Sequence, residues 1–138
     1  MDELSLTSEE IRGILERSKT IAVVGMSGKP ERPSYQVAKY LARAGYRIIP
    51  VNPSYDEIDG MKSYPDIESI PEEIDVVDIF RRAEHIEPIV DGAIRKRAKV
   101  VWMQEGIVNV RAAEKAKQAG LQVVMDRCMM KEHSRLMA

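Results

Sequence analysis

Thr20-Ile21-Ala22-Val23-Val24-Gly25-Met26-Ser27-Gly28-Lys29-Pro30 is the stretch on which the reading of this chain turns. Ile21, Ala22, Val23 and Val24 form an unbroken apolar run, as expected of a parallel strand buried on both faces. Gly25 ends the run, Ser27, Gly28 and Lys29 follow, and a helical pattern starts after Pro33. A strand, a glycine turn and a helix in that order bring backbone N–H groups and the positive end of a helix to one point, where a phosphate group is stabilised. The stretch therefore predicts a phosphate-bearing ligand, the plainer alternative being a tight turn that only packs strand on helix.

Working outward, Val37, Ala38, Leu41 and Ala42 give the helix over residues 34–44 a buried face, and Gly45 suits its C-terminal cap. Residues 46–51 read as the second strand, stopped by Asn52-Pro53 because proline has no N–H for the ladder. Residues 54–73 are irregular, with Gly60, Pro65 and Pro71. They are read as a short third strand at the sheet edge over 58–62 and one helical turn within 65–70. Residues 75–80 form a strand. Ile86, Ile89, Val90, Ala93 and Ile94 mark a helix with Pro88 in its first turn. Residues 99–103 form a strand, and Asn109 caps a helix striped by Ala112, Ala113, Ala116 and Ala119 and closed by Gly120. Residues 121–125 are the last strand and 128–137 a final helix. Upstream, Thr7-Ser8-Glu9-Glu10 reads as a capping box opening a helix that carries Ile11, Ile14 and Leu15 and ends near Ser18. The alternation of strands and helices predicts an α/β fold, with a mostly parallel sheet of about five strands between two helical layers and right-handed crossovers. All of residues 1–138 read as one domain, with residues 1–18 an N-terminal helix leaning on the sheet.

A net charge of −1 with 31% charged residues offers no surface for nucleic acid or an anionic membrane. No apolar run approaches a membrane span. Asp2 and Glu3 make an acidic start without a signal-peptide pattern, and the single cysteine, Cys128, has no partner for an internal disulfide. These features predict a cytoplasmic protein.

In open parallel sheets ligands bind beyond the C-terminal strand ends, where strand order reverses. The residues following the strands are Gly25, Met26, Ser27, Gly28 and Lys29; Asn52, Pro53, Ser54 and Tyr55; Phe80, Arg81 and Arg82; Gln104, Glu105 and Gly106; and Asp126, Arg127 and Cys128. That rim is rich in Gly, Asn, Arg and Gln while the strands are apolar, which marks it as the working edge. A nicotinamide dinucleotide asks for G-x-G-x-x-G and an acid ending the second strand. Here the loop has two glycines spaced G-x-x-G and the strand ends Val51-Asn52-Pro53, so both departures count against it. A Walker-type phosphate loop fails too, since neither Ser nor Thr follows Lys29.

Val24-Gly25-Met26-Ser27-Gly28-Lys29-Pro30, Pro50-Val51-Asn52-Pro53, Tyr64-Pro65, the run from Asp75 to Arg82, Val101-Trp102-Met103-Gln104-Glu105-Gly106 and the run from Asp126 to His133 occur in order. Together they resemble the stand-alone CoA-binding protein family, Rossmann-like proteins related to the CoA-binding domain of succinyl-CoA synthetase alpha chains. The resemblance spans roughly residues 21–133. It implies coenzyme A as ligand, with Gly25, Met26, Ser27, Gly28 and Lys29 at its phosphates and Pro30 and Arg32 beside them. Val51, Asn52 and Pro53 would line the adenosine side, and Ile79, Phe80 and Arg81 would lie beside the nucleotide. Glu105, flanked by Gln104 and Gly106, matches the Glu of the synthetase's T-E-G turn and would lie near the pantetheine. Tyr55 stands near where the synthetase domain carries a lysine. The synthetase's phosphohistidine domain has no counterpart, so ligase activity does not carry over.

Lys29, Arg32 and Arg81 are candidate phosphate partners, the alternative being solvated surface charges. Trp102 reads as core. Cys128 stands at the rim where a helix begins, beside Arg127, and a helix start and a nearby cation both favour a reactive thiolate. A mixed disulfide with the thiol of CoA is the functional reading, and inert packing the plain one. Cys128, His133 and His85 do not have metal-site spacing. Glu132 and His133 are expected to finish the last helix against a loop. No nucleophile elbow or Ser/His/Asp pattern is present. The sequence thus predicts a protein that binds CoA or acyl-CoA, as a monomer or homodimer. An enzyme or enzyme subunit acting on acyl-CoA, and a nicotinamide-nucleotide sensor, are the alternatives.

Overall fold

The computed structural model describes residues 6–137. Helix α1 (Ser8–Arg17) is followed by β1 (Thr20–Val24), α2 (Pro33–Arg43), β2 (Arg47–Val51), β3 (Glu57–Ile58) and β4 (Met61–Lys62). Then come β5 (Val76–Ile79), α3 (Ile86–Arg95), β6 (Val100–Met103), α4 (Val110–Gln118), β7 (Gln122–Val124) and α5 (Met129–Met137). Asp2 and Glu3 lie outside the described residues.

The main sheet has the order β2-β1-β5-β6-β7, every pair parallel. The chain first steps from β1 to β2 on one side and then returns to add β5 on the other. The switch in strand order therefore lies between β1 and β5, directly beyond Gly25 and Phe80. Alternate strand residues feed two cores. Ala22, Val24, Val77, Ile79, Val101 and Met103 pack beneath α3 and α4. Ile21, Val23, Val76, Val100 and Trp102 pack beneath α1, α2 and α5. The result is the expected Rossmann-like three-layer α/β arrangement, with a sheet of five strands.

The capping box of α1 forms as expected, Thr7 and Glu10 each accepting the other's backbone N–H. The helical turn within 65–70 is a 3-10 turn at Ile67–Ser69, capped by the Asp66 side chain. Residues 58–62, by contrast, do not extend the main sheet. They form a separate antiparallel hairpin of β3 and β4. Asp59 and Gly60 both take positive φ, 51° and 79°, which is the two-residue turn that reverses a strand sharply. The chain folds back after two residues, and β2 keeps the edge of the main sheet with a single bridge from Val51 to Tyr64.

Candidate functional site

Gly25 is where the switch point becomes tight. It has φ of 86°, and a Cβ there would lie 2.6 Å from the Phe80 carbonyl oxygen. Its N–H donates to Val51 O at 2.8 Å, and Phe80 N–H donates to Val24 O at 2.8 Å. The ends of β2, β1 and β5 are thus tied together beneath the loop. Asn52 fastens the loop from the β2 side: Nδ2 donates to Met26 O at 3.0 Å while Oδ1 accepts from Ser54 N–H at 2.9 Å. Ser27 and Ser34 link the loop to α2, Ser27 N–H donating to Ser34 Oγ at 3.0 Å.

The start of α2 is built unlike the starts of α1 and α4. Those are capped by the Thr7 and Asn109 side chains. The N-cap of α2 is Arg32, which makes no side-chain cap bond, and its first turn carries no acid. The positive end of its dipole is therefore not answered by a cap or by an acid in its own first turn. It opens into a depression of about 420 Å³ lined by Gly25, Ser27, Lys29, Arg32, Asn52, Tyr55 and Phe80, among others. The Tyr55 ring lies on Gly28, so close that a Cβ there would be 2.9 Å from its Cε1. The Gly28 backbone N–H and then the Ser27 hydroxyl hold the Tyr55 phenol below its ordinary pKa.

A second cavity, of about 620 Å³, opens between the ends of β5 and β6 and the start of α2. Phe80, Arg81, Gln104, Glu105, Gly106 and Cys128 are among its walls, with Pro33, Val37, Arg82, Ala83 and Ile107. A third, of about 260 Å³, lies toward α3, walled by Val24, Val51, Pro53, Ile67, Arg81 and Ile89, with Asp66 and Glu68 also on its lining. Phe80 and Pro33 are common to the first two, and Arg81 joins the large cavity to the small one.

Most of the expected site residues thus meet along one edge, but not all by their side chains. Met26 and Ile79 are fully buried in the two cores, so only their backbone reaches the rim. Pro30 is exposed, its carbonyl accepting from Gln36 Nε2 at 3.3 Å. Glu105 is held by Lys131 Nζ at 2.8 Å, and Gly106 N–H donates to Asp126 Oδ1 at 2.7 Å. Trp102 is in the core as read, its indole N–H donating to Arg127 O at 2.8 Å. That bond moors the segment that leads into Cys128. Cys128 is buried and precedes α5, its carbonyl accepting from Glu132 N–H at 2.9 Å. His133 meets Tyr40 of α2 at 3.0 Å and stacks edge-on against the Tyr40 and Tyr46 rings. Burial lowers its pKa. Glu132 pairs with Arg135 and Arg127. Among the described residues no group of three His, Cys, Asp or Glu side chains is gathered for a metal.

The family described as a CoA binding domain matches residues 19–134. This chain belongs to that family. It is 43% identical over 125 residues to the protein YneT of Bacillus subtilis, covering 91% of this chain and 93% of that one. A solved structure, described as a hypothetical protein from Pyrococcus horikoshii OT3, superposes with a TM-score of 0.96 at 48% identity, covering 100% of this chain and 97% of that one. The alpha subunit of ADP-forming acetate–CoA ligase I of Pyrococcus furiosus is 34% identical over 89 residues, 60% of this chain but 19% of that subunit. The family relation thus extends to a part of a CoA ligase. No helix among the described residues is long and apolar enough to cross a membrane.

Within this CoA-binding domain the sequence reading passed over Asp78. It is fully buried in β5, with Oδ1 accepting from Gln104 Nε2 at 2.6 Å and Oδ2 without a partner. Burial pushes its carboxyl up to about 7, against a smaller opposing effect of the Gln104 bond. The signal was available: an acid inside the apolar run Val76-Val77-Asp78-Ile79-Phe80.

Proposed function

We propose that this protein binds coenzyme A, free or as a thioester, along the C-terminal edge of its sheet, and that it acts as a binding protein rather than a ligase. The observation that carries this reading is a row of three adjoining depressions with the start of α2 in the middle: that depression shares Phe80 and Pro33 with the large cavity and meets the small one at the consecutive residues Val24-Gly25 and Val51-Asn52-Pro53-Ser54. A long ligand with a flat base, a phosphate-rich middle and a narrow arm matches such a row. The base belongs in the small cavity against Val51, Pro53 and Ile67. The phosphates belong at the start of α2, where Lys29 and Arg32 stand with no carboxylate among the described residues in ion-pair distance. The pantetheine arm belongs in the large cavity toward Gln104, Glu105 and Cys128. Protein of this kind is expected to be stabilised by CoA and acetyl-CoA but not by NADH or ATP in parallel thermal titrations. Stabilisation by NADH without CoA would replace the reading with a dinucleotide sensor. Steady turnover of acetyl-CoA would replace it with an enzyme.

Cys128 on the wall of the large cavity favours a redox extension of the same reading. CoA disulfide bound there would exchange with Cys128: the thiolate attacks one sulfur, a protein–CoA disulfide forms, and the S–S bond of CoA disulfide breaks. The departing CoA thiolate takes up the proton that Cys128 released. No outside oxidant is needed. Intact-protein mass spectrometry after incubation with CoA disulfide is expected to find one CoA adduct, reversed by dithiothreitol and missing in Cys128→Ser. CoA binding without any adduct would leave Cys128 a packing residue.

A further inference from the structure

Asp78 is an expensive residue in an odd place. It lies in the central strand β5, paired in register with Val23 of β1 and Trp102 of β6. It shares the sheet face of Val76, the face covered by α1, α2 and α5. A buried carboxyl with one oxygen unpartnered does not add stability, since an apolar side chain of similar size would do better there. Among the described residues no cation answers it: burial and the Gln104 bond are the influences it feels. From the elements on that face, α1 contributes Ile11, Ile14 and Leu15 to the core. The titratable groups on that face are Tyr40 of α2 and His133 of α5, bonded to each other, Glu132 of α5 with its two arginines, Cys128, and at the margin Tyr35 of α2, Tyr46 and Tyr55. What Asp78 does touch is Gln104, and Gln104 lines the large cavity while being 4% exposed.

A glutamine amide has a donating and an accepting end. Because Nε2 is held by Asp78 Oδ1, Oε1 is the end left for the cavity. We propose that Asp78 is a positioning residue and Gln104 a specificity-determining residue: together they make the inner wall of the large cavity a hydrogen-bond acceptor, which selects CoA with a free thiol over its acyl thioesters. This rests on the reading that the pantetheine arm enters that cavity. A free thiol brings an S–H donor to Gln104 Oε1, whereas a thioester brings a second acceptor and no donor. Protonation of Asp78 reverses the arrangement. The neutral carboxyl donates to Gln104 Oε1, the amide turns over, and its NH₂ faces the cavity and donates to an acyl carbonyl. The preference for thiol over thioester therefore weakens as pH falls.

Calorimetric titration of the whole chain with CoA and with acetyl-CoA, between about pH 6 and about pH 8 where the CoA thiol stays mostly protonated, tests this. The wild type is expected to favour CoA by about twofold to threefold at the upper pH, the low end of one hydrogen bond because a thiol is a weak donor, with the ratio falling toward one at the lower pH. Gln104→Met is expected to bring the ratio near one at both. Asp78→Asn is expected to make it independent of pH. Gln104→Met changes a cavity wall and keeps the test alive should Asp78→Asn fold poorly. A wild-type ratio that is flat with pH, or one unchanged by Gln104→Met, overturns the inference while leaving CoA binding intact. Failure of the wild type to bind either compound overturns the CoA reading itself.

Discussion

Gly25 does something no other residue type could do at that point. Its positive φ and the nearby Phe80 carbonyl both exclude a side chain. Gly25→Ala is expected to lower stability by about 2 kcal/mol or more, combining the left-handed penalty with backbone overlap, as read by urea unfolding. Asp78 makes a prediction of opposite kind. Its carboxyl stands at about 7 against an ordinary 3.8, so the fold favours the proton. Below about pH 4 both folded and unfolded chains hold it and nothing is lost; between about pH 4 and about pH 7 the unfolded chain releases its proton first, and stability falls as pH rises, levelling off above. Asp78→Asn is thus expected to be more stable than wild type at about pH 8, by up to roughly 3–4 kcal/mol, and to gain far less near pH 4.5. Equal gains at both pH values would contradict it. Both residues were visible in the sequence, but unequally. Gly25 was legible because a glycine after an apolar run has one common meaning. Asp78 was not, because periodicity registers an acid in a strand only as a weaker strand.

The element that makes the rim a site is α2, and its start is legible in part. The sequence offers Pro33 and a glycine loop; it does not say that Arg32 leaves the helix without a side-chain cap, which depends on the path of residues 28–32. Lys29→Ala with Arg32→Ala is expected to weaken CoA binding by about tenfold or more and to flatten its dependence on salt, since two charge-assisted contacts are removed. Unchanged affinity with unchanged salt dependence would place the phosphates elsewhere. Asn52 acts on the same element from β2. Both ends of its amide are engaged by backbone groups, so it shapes the loop even where the sequence reading cast it as a ligand contact. Asn52→Ala leaves Met26 O and Ser54 N–H without their partner and is expected to cost about 1–3 kcal/mol of stability and to weaken CoA binding through the loop, measured by unfolding and calorimetry side by side. The hairpin of β3 and β4 marks the limit of reading elements from sequence. An isoleucine and a methionine three apart read as one strand, and only the positive φ at Asp59 and Gly60 folds them back on each other.

At the scale of the molecule, strand order does the work that no motif does alone. The order β2-β1-β5-β6-β7 puts the reversal beside Gly25, so the loops after β1, β2, β5 and β6 converge on one edge. The alternation of strands and helices made a parallel sheet legible, but not the row of cavities, because these arise where α2, α3 and the loops diverge from the sheet. The row has a consequence for affinity. Its three parts adjoin, through shared residues or through consecutive ones, so a ligand that fills all of them loses its translational and rotational freedom once, and its second half binds as though highly concentrated. Adenosine 3′,5′-bisphosphate and 4′-phosphopantetheine, offered separately, are therefore expected to bind at least about a hundredfold more weakly than CoA, and a mixture of the two is expected not to recover the difference. In a thermal titration CoA at ~100 times its Kd adds about 2.7 kcal/mol, while either fragment at the same concentration adds well under 1 kcal/mol. If the adenosine fragment alone matches CoA, the large cavity takes no part in binding, and Gln104 and Cys128 line a cavity that no ligand fills.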